Sequence, residues 1–76
     1  MAGGTPFAAM PSGSLNGWLL WCKSHDWGQG PQGTAWFDDT AGELVTYADE
    51  SDDGVNWRTV EARHTTPRAL KAWAGY

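Results

Sequence analysis

Hydrophobic and polar residues alternate along the second half of the chain, and this pattern predicts β-strands. In the stretch ELVTYAD, Val45 and Tyr47 fall on one face of a strand, opposite their neighbours. The stretch TAWFDD before it and the stretch VNWRTVEARH after it predict two more strands. The apolar positions of the last stretch change faces near its middle, which indicates a bulge, a bend or a strand covered on both sides.

Turns rich in glycine and acidic residues separate these strands. The stretch DESDDG combines a run of acids with an Asp-Gly pair, a composition typical of a hairpin loop in which Gly54 adopts a left-handed conformation. DTAG predicts a second turn, and GQGPQG predicts a loop ahead of the first of the three strands. Because strands joined by short turns pair with their neighbours in the chain, the pattern predicts an antiparallel meander.

The stretch GWLLWCKSHDW fits both a helix and a strand. Helical spacing aligns Leu15, Trp18 and Cys22 on one face, whereas strand spacing groups Trp18 and Cys22 with Leu20. Gly17 weakens a helix, and the polar residues and glycines that follow are a poor continuation of one. We therefore predict a fourth strand here.

The C-terminal stretch HTTPRALKAWAGY predicts a helix. Thr65 or Thr66 supplies a cap, and Pro67 suits the first turn. Leu70 and Trp73 form an apolar stripe, but a helix of about nine residues is not stable alone and has to pack on the sheet. The predicted fold class is α+β: a small three- to four-stranded antiparallel meander with one C-terminal helix packed on it.

The chain of 76 residues is short enough for one domain. Its first fourteen residues are rich in Gly, Pro, Ser, Thr and Ala and show no sustained period. We therefore expect a flexible N-terminal arm at 1–14 and a single small domain at 15–76.

Tryptophan has to supply much of the core, because the chain has six Trp but only eight Leu and Val and no Ile. Trp57, in the middle of a predicted strand, and Trp73, on the helix stripe, are the expected core residues. Trp36 or Phe37 should join them. Trp27 stands beside the glycine loop and is the expected partly exposed indole.

Nine acids oppose five bases, which gives a formal net charge of −4. Because the bases are scattered, binding to nucleic acid is not expected, and a protein partner with a basic surface fits the charge better. Two acidic loops would form one edge if they shared an end of the sheet. The predicted partner-binding residues are Trp27, Asp38, Asp39, Asp49, Glu50, Asp52 and Asp53.

Cysteine and histidine give only weak indications of chemistry. Cys22 is the sole cysteine, so an intrachain disulfide is impossible. Cys22 and His25 have a spacing that zinc sites use, and His64 offers a third ligand, but four donors are required. The expectation is no cofactor, no metal and no catalytic residue, with Cys22 as a buried thiol.

Nothing in the sequence predicts export or membrane insertion. Residues 1–22 carry no charged side chain, and no apolar run approaches the roughly 20 residues of a membrane helix. The expected location is the cytoplasm, which also suits a chain without a disulfide.

The stretches RTVEARHTTPRALKAWAGY and CKSHDW resemble short, uncharacterised open reading frames of high-GC actinobacteria and their phages. The resemblance implies a context, namely a small cytosolic accessory protein that binds a host protein. It implies no activity and no functional residues.

The predicted function is a small, acidic, non-enzymatic protein-interaction module. Self-association through an open sheet edge is also allowed by the short strands. The alternatives are a zinc-stabilised or nucleic-acid-binding regulatory module and a carbohydrate-binding module that uses an exposed tryptophan.

Overall fold

The longest strand of the sheet lies between two shorter ones and pairs with both. The computed structural model describes residues 4–76. Consecutive strands are antiparallel neighbours in the order β1-β2-β3. The elements are a 3₁₀ turn (Phe7–Ala9), α1 (Ser12–Lys23), β1 (Ala35–Asp38), β2 (Glu43–Glu50), β3 (Arg58–His64) and α2 (Pro67–Ala74).

The two helices cover one face of this sheet. Leu44 of β2 and Ala35 of β1 have the same parity in the pairing register and point into the core, where they meet Cys22 of α1 and Leu70 of α2. Val45 and Tyr47 point to the opposite face and are buried as well, so β2 is covered on both faces at residues 44–47. An α+β fold of three antiparallel strands with a C-terminal helix is confirmed.

The predicted strand around residues 17–25 is wrong, because this stretch belongs to α1 and to the turn after it. Helical spacing gathers Trp18, Cys22 and Leu15 against the core, as the alternative interpretation required. Gly17 is exposed with open space around it, so it costs the helix roughly 1 kcal/mol and no packing. Burial of the apolar side of α1 outweighs that cost.

The C-terminal helix begins and ends at the residue types that predicted it. The Thr66 hydroxyl accepts a hydrogen bond from the backbone N–H of Ala69 at 3.1 Å, and Pro67 occupies the first turn. Gly75 closes α2 with φ of +94°, a left-handed conformation that favours glycine. Leu70 is fully buried, and Trp73 packs against the core half-buried.

The N-terminal stretch is tied to the domain through Phe7. This ring is 1% exposed, and the Phe7 N–H donates to the Thr65 carbonyl at 2.9 Å. The expected boundary at residue 14 falls inside α1. The start of the expected arm, residues 1–3, lies outside the described residues.

None of the six tryptophans belongs to the fully buried core. Trp57, expected there, is 64% exposed, because it lies in the loop before β3. At this end of the sheet β2 and β3 are themselves exposed. Pairing continues without interruption from Glu50↔Arg58 to Leu44↔His64, so the change of faces in the sequence marks the junction of loop and strand rather than a bulge.

Candidate functional site

The two acidic loops lie at opposite ends of β2. One connects β1 to β2 and the other connects β2 to β3, and an eight-residue strand separates them. At about 3.4 Å per residue, the separation is roughly 24 Å. The acidic residues that were expected to form one edge are therefore divided between two sites, and each loop has to be considered alone.

In the first loop, the Asp38 carboxylate stabilises the turn itself. Asp38 accepts hydrogen bonds from the backbone N–H groups of Thr40 and Ala41, both at 3.2 Å, and pairs with Arg63 at 3.0 Å. The hydrogen bond from Arg63, followed by that from Ala41, lowers the pKa of Asp38. Asp39 is exposed at the turn.

Arg63 neutralises much of the acidity on the sheet face that the helices do not cover. Its guanidinium contacts Glu61 at 2.7 Å and Glu43 at 3.1 Å in addition to Asp38, and it lies 5.9 Å from the centroid of the Trp36 ring. These three partners, Glu61 first, raise the pKa of Arg63 above its ordinary value. This face thus carries paired charges, and the unpaired acidity is concentrated elsewhere.

The second loop is ordered by Asp53. Its carboxylate accepts from the backbone N–H groups of Asn56 at 2.9 Å and Val55 at 2.8 Å, and also from the Asn56 amide and the Ser51 hydroxyl. These hydrogen bonds, with that from the Asn56 backbone the largest, hold the pKa of Asp53 far below its usual range. Gly54 has φ of +75°, as the Asp-Gly pair predicted.

The ordered loop presents apolar and acidic groups to solvent. Val55 is 77% exposed and Trp57 is 64% exposed, and they are two of the four large exposed hydrophobic residues within residues 4–76. The Asp52 side chain is 87% exposed and makes only a 3.3 Å pair with Arg58, and Glu50 is exposed nearby in sequence. Asp49 accepts from the Thr59 hydroxyl at 2.8 Å and thereby joins the two strands. We call residues 50–57 the hairpin tip.

The Trp27 ring packs on the helical side of the molecule, while its backbone carbonyl accepts a hydrogen bond from the Asp49 N–H at 3.0 Å. Trp27 is half-buried and packs against the core, with Trp73 at 4.8 Å edge-on and His25 stacked on it at 4.6 Å between ring centroids. The His25 Nδ1 donates to the Trp21 carbonyl at 2.7 Å, and its Nε2 lies 3.1 Å from the Tyr76 hydroxyl. The exposed indole beside acidic residues is Trp57.

The three zinc candidates have separate surroundings. Cys22 is fully buried in the core, His25 lies among aromatic rings, and His64 bonds to the Thr46 hydroxyl at 2.8 Å. Among residues 4–76 no group of three His, Cys, Asp or Glu side chains is arranged to hold a metal ion. Burial raises the pKa of the Cys22 thiol to about 11, so it is protonated near neutral pH.

Trp57 is absent from the predicted partner-binding residues because it lies in a stretch with strand-like composition. The signal that would have found it is the preceding turn: Asp53 and Asn56 flank a glycine, a spacing typical of a loop closed by side-chain hydrogen bonds. Such a loop extends to residue 57 and leaves the indole outside the strand.

No protein-family model matches the sequence, and no curated protein or solved structure matches the chain. Within the part of the chain that the structure describes, every helix is too short or too polar to cross a membrane.

Proposed function

We propose that this protein is a non-enzymatic protein-interaction module that binds a partner with a basic surface through the hairpin tip. The observation that carries the proposal is the indole of Trp57, which is 64% exposed on a loop held in shape by four hydrogen bonds to the Asp53 carboxylate within it. Single exposed hydrophobic residues are common on proteins, but here two of them, Trp57 and Val55, lie on one loop of fixed shape.

The chemistry of the tip matches that of binding hot spots. Tryptophan is among the residues that contribute most when they enter a pocket of a partner. The hydrogen bonds of Asp53 fix the loop before binding, so less conformational entropy is lost when the complex forms. Asp52 and Glu50 are exposed on the same hairpin tip and add negative charge to it, which favours approach to a basic surface.

In this proposal, the partner-binding residues differ from those predicted from the sequence. Glu50, Asp52 and Trp57 would contact the partner, while Asp49 and Asp53 would support the tip. Asp38 and Asp39 belong to the far end of β2. The Trp27 carbonyl bonds to the Asp49 N–H, but the Trp27 ring packs against the core, so none of the three would contact the partner.

The absence of catalysis remains part of the proposal. The thiol of Cys22 is buried and protonated, and His25 and His64 are each engaged in hydrogen bonds. A nucleophile paired with an accessible base is the minimum for covalent catalysis. The carbohydrate alternative keeps one supporting observation, which is that Trp57 is exposed on the same loop as Asp52.

We also propose a cytoplasmic location and an accessory role. A cytoplasmic location suits the free, buried thiol of Cys22, because reducing compartments preserve thiols. An accessory role for a phage or mobile element, directed at a host protein, follows from the resemblance of the C-terminal stretch to actinobacterial and phage reading frames.

The test is capture of a partner by matched variants. The immobilised protein, Trp57→Ser and Asp52→Lys would be exposed to actinobacterial lysate, and the captured proteins identified and then purified for titration calorimetry. We expect both tip variants to weaken binding by at least about tenfold, as loss of a hot spot does. The interaction should also weaken as salt rises, since part of it is electrostatic.

Two control variants make the same kinds of substitution at exposed positions away from the hairpin tip. Leu20→Ser removes a side chain that is 68% exposed on α1, and Asp39→Lys reverses an exposed charge at the far end of β2. Both should bind like the wild type. A partner that binds the tip variants and the controls equally would contradict the proposal. If the wild type binds an oligosaccharide and Trp57→Phe does not, the result would instead favour the carbohydrate alternative.

A further inference from the structure

The helices form a groove on the side of the molecule that the hairpin tip does not reach. The groove has a volume of about 460 Å³, and its lining includes Trp18 of α1, Tyr76, and Arg68 and Lys71 of α2. We call these residues the helix groove. Pockets that hold small organic groups span about 300–1,000 Å³, so this one has room for an aromatic side chain.

The helix groove combines aromatic surface with positive charge. The Lys71 ammonium lies 5.8 Å from the centroid of the Trp18 ring, a cation–π distance. Arg68 is exposed on the same helix, one turn earlier. An occupant that brings both an aromatic ring and carboxylates would satisfy both kinds of group.

Charge is divided between the two layers of the molecule. The segment 35–64, which forms the sheet and its turns, carries eight of the nine acids and only two of the five bases. The three other bases are Lys23, Arg68 and Lys71, which all lie on the helices. One molecule therefore offers an acidic surface and a basic surface of complementary sign.

The hairpin tip of one molecule does not enter its own helix groove, because none of residues 50–57 lines the groove and Trp57 is 64% exposed. Trp57 precedes β3, and α2 begins after β3 has crossed the sheet to its other end. Seven strand residues span roughly 20 Å, and the molecule is 41 Å long. A contact between the two surfaces thus requires two copies of the chain.

We propose that the helix groove binds the hairpin tip of a second copy, with the Trp57 indole against Trp18 and the acids of the tip against Lys71 and Arg68. The inference rests on the proposed function in that it uses the same tip, but it names this chain itself as an occupant. Because the two surfaces differ, the contact is head-to-tail, and a pair of copies keeps one groove and one tip free to continue the assembly.

The test is complementation between two defective variants, followed by sedimentation velocity. The wild type should show an average mass that rises with concentration beyond that of a dimer. Trp57→Ser, without a functional tip, and Lys71→Glu, without a functional groove, should each remain monomeric. An equimolar mixture should form a heterodimer and stop there, since one intact tip and one intact groove remain.

A second groove variant is needed because Lys71→Glu also removes a contact with the Trp18 ring. Arg68→Glu changes an exposed residue of the groove and should also weaken self-association, by about tenfold or more, and recover in the mixture with Trp57→Ser. Asp39→Lys should associate like the wild type. Amide NMR spectra of the variants should retain the wild-type dispersion.

Three results would overturn the inference: a wild type that stays monomeric at millimolar concentration, groove variants that associate like the wild type, or a mixture that fails to form the heterodimer. None of them affects the proposed function. Lys71→Glu retains an intact tip and should still capture an external partner, whereas Trp57→Ser should not. The groove variants therefore test self-association, and the tip variants test binding of an external partner, so the two proposals can fail independently.

Discussion

The backbone of Gly30 lies directly against the ring of Tyr47, so close that a Cβ atom at position 30 would overlap the ring. Gly30 also pairs with Gly33 through two backbone hydrogen bonds of 2.9 and 3.2 Å. The Tyr47 hydroxyl accepts from the Trp36 indole at 2.8 Å. The loop after α1 thus closes over the sheet face opposite the helices and buries Tyr47.

Gly30→Ala should destabilise the protein. The added methyl group has to displace the Tyr47 ring or the loop, and overpacking of this kind costs typically about 1–3 kcal/mol. The free energy of unfolding, measured by denaturant titration followed by far-UV circular dichroism, should fall by that amount.

Gly17→Ala is the matched control for this substitution. Gly17 lies inside α1 with open space where its Cβ would be, so alanine adds helix propensity without a clash. Its stability should rise by roughly 0.5–1 kcal/mol. Equal stability of Gly30→Ala and the wild type would mean that the loop does not rest on Tyr47 in solution.

Asp53→Ala should disorder the hairpin tip while leaving the sheet folded. The backbone N–H groups of Val55 and Asn56 would lose their acceptor. The ¹H–¹⁵N heteronuclear NOE of these two residues should therefore fall toward values of flexible loops. Asp52→Ala removes a carboxylate that makes only an exposed pair with Arg58, so the NOE values should stay as in the wild type.

The same loop should remain ordered in mild acid. Because the pKa of Asp53 is lowered in the folded state, its contribution is fully present above the ordinary value of 3.8 and is lost only as pH falls through the lower folded pKa. The NOE of Asn56 should accordingly persist when pH is brought just below 3.8. A loss of order above that pH would contradict the hydrogen-bond arrangement.

The elements that sequence analysis predicted correctly depend on local chemistry. The helix α2 has its cap at Thr66 and its closing glycine at Gly75, and both are readable within a few residues. The turn at Gly54 and the alternation of β2 are local in the same sense. Local preferences and the final fold agree at these positions.

The errors arise where the outcome depends on distant residues. Trp18 and Cys22 fit both a helix and a strand, and only their packing against Leu44 and Leu70 decides between the two. The turn at Gly54 indicates that Trp57 lies in a loop, but the exposure of the adjoining ends of β2 and β3 depends on where the helices stop covering the sheet. The separation of the acidic loops follows from the sequence alone, since a single strand between two turns necessarily places them at its opposite ends.

Cys22 should react slowly with thiol reagents while the protein is folded. The side chain is fully buried, and its pKa is raised to about 11, so little thiolate exists at pH 8. The pKa difference alone lowers the reaction rate by about a hundredfold or more relative to an ordinary thiol. Labelling with a chromogenic disulfide should become fast in denaturant, with the same midpoint as unfolding. Comparable rates for the folded and unfolded protein would place Cys22 outside the core.

His64 should make the stability depend on pH in the weakly acidic range. The ring is buried beside Thr46, and burial lowers its pKa below 6.5, while the charge of Glu43 opposes the shift. The unfolded chain therefore binds a proton more readily than the folded one near this pH. The stability that neutral His64 provides is complete above about pH 6.5 and declines as pH falls toward the folded pKa.

His64→Gln isolates this contribution, because glutamine does not titrate and still offers Thr46 a hydrogen-bonding group. The free energy of unfolding of the wild type minus that of His64→Gln should decrease between pH 7.5 and pH 5, since only the wild type loses the His64 term. Denaturant titrations at steps of half a pH unit measure the difference, and the effects of the titratable groups that the two proteins share largely cancel in it. A difference that stays constant over this range would show that His64 has the same pKa in both states and is not buried as a neutral ring.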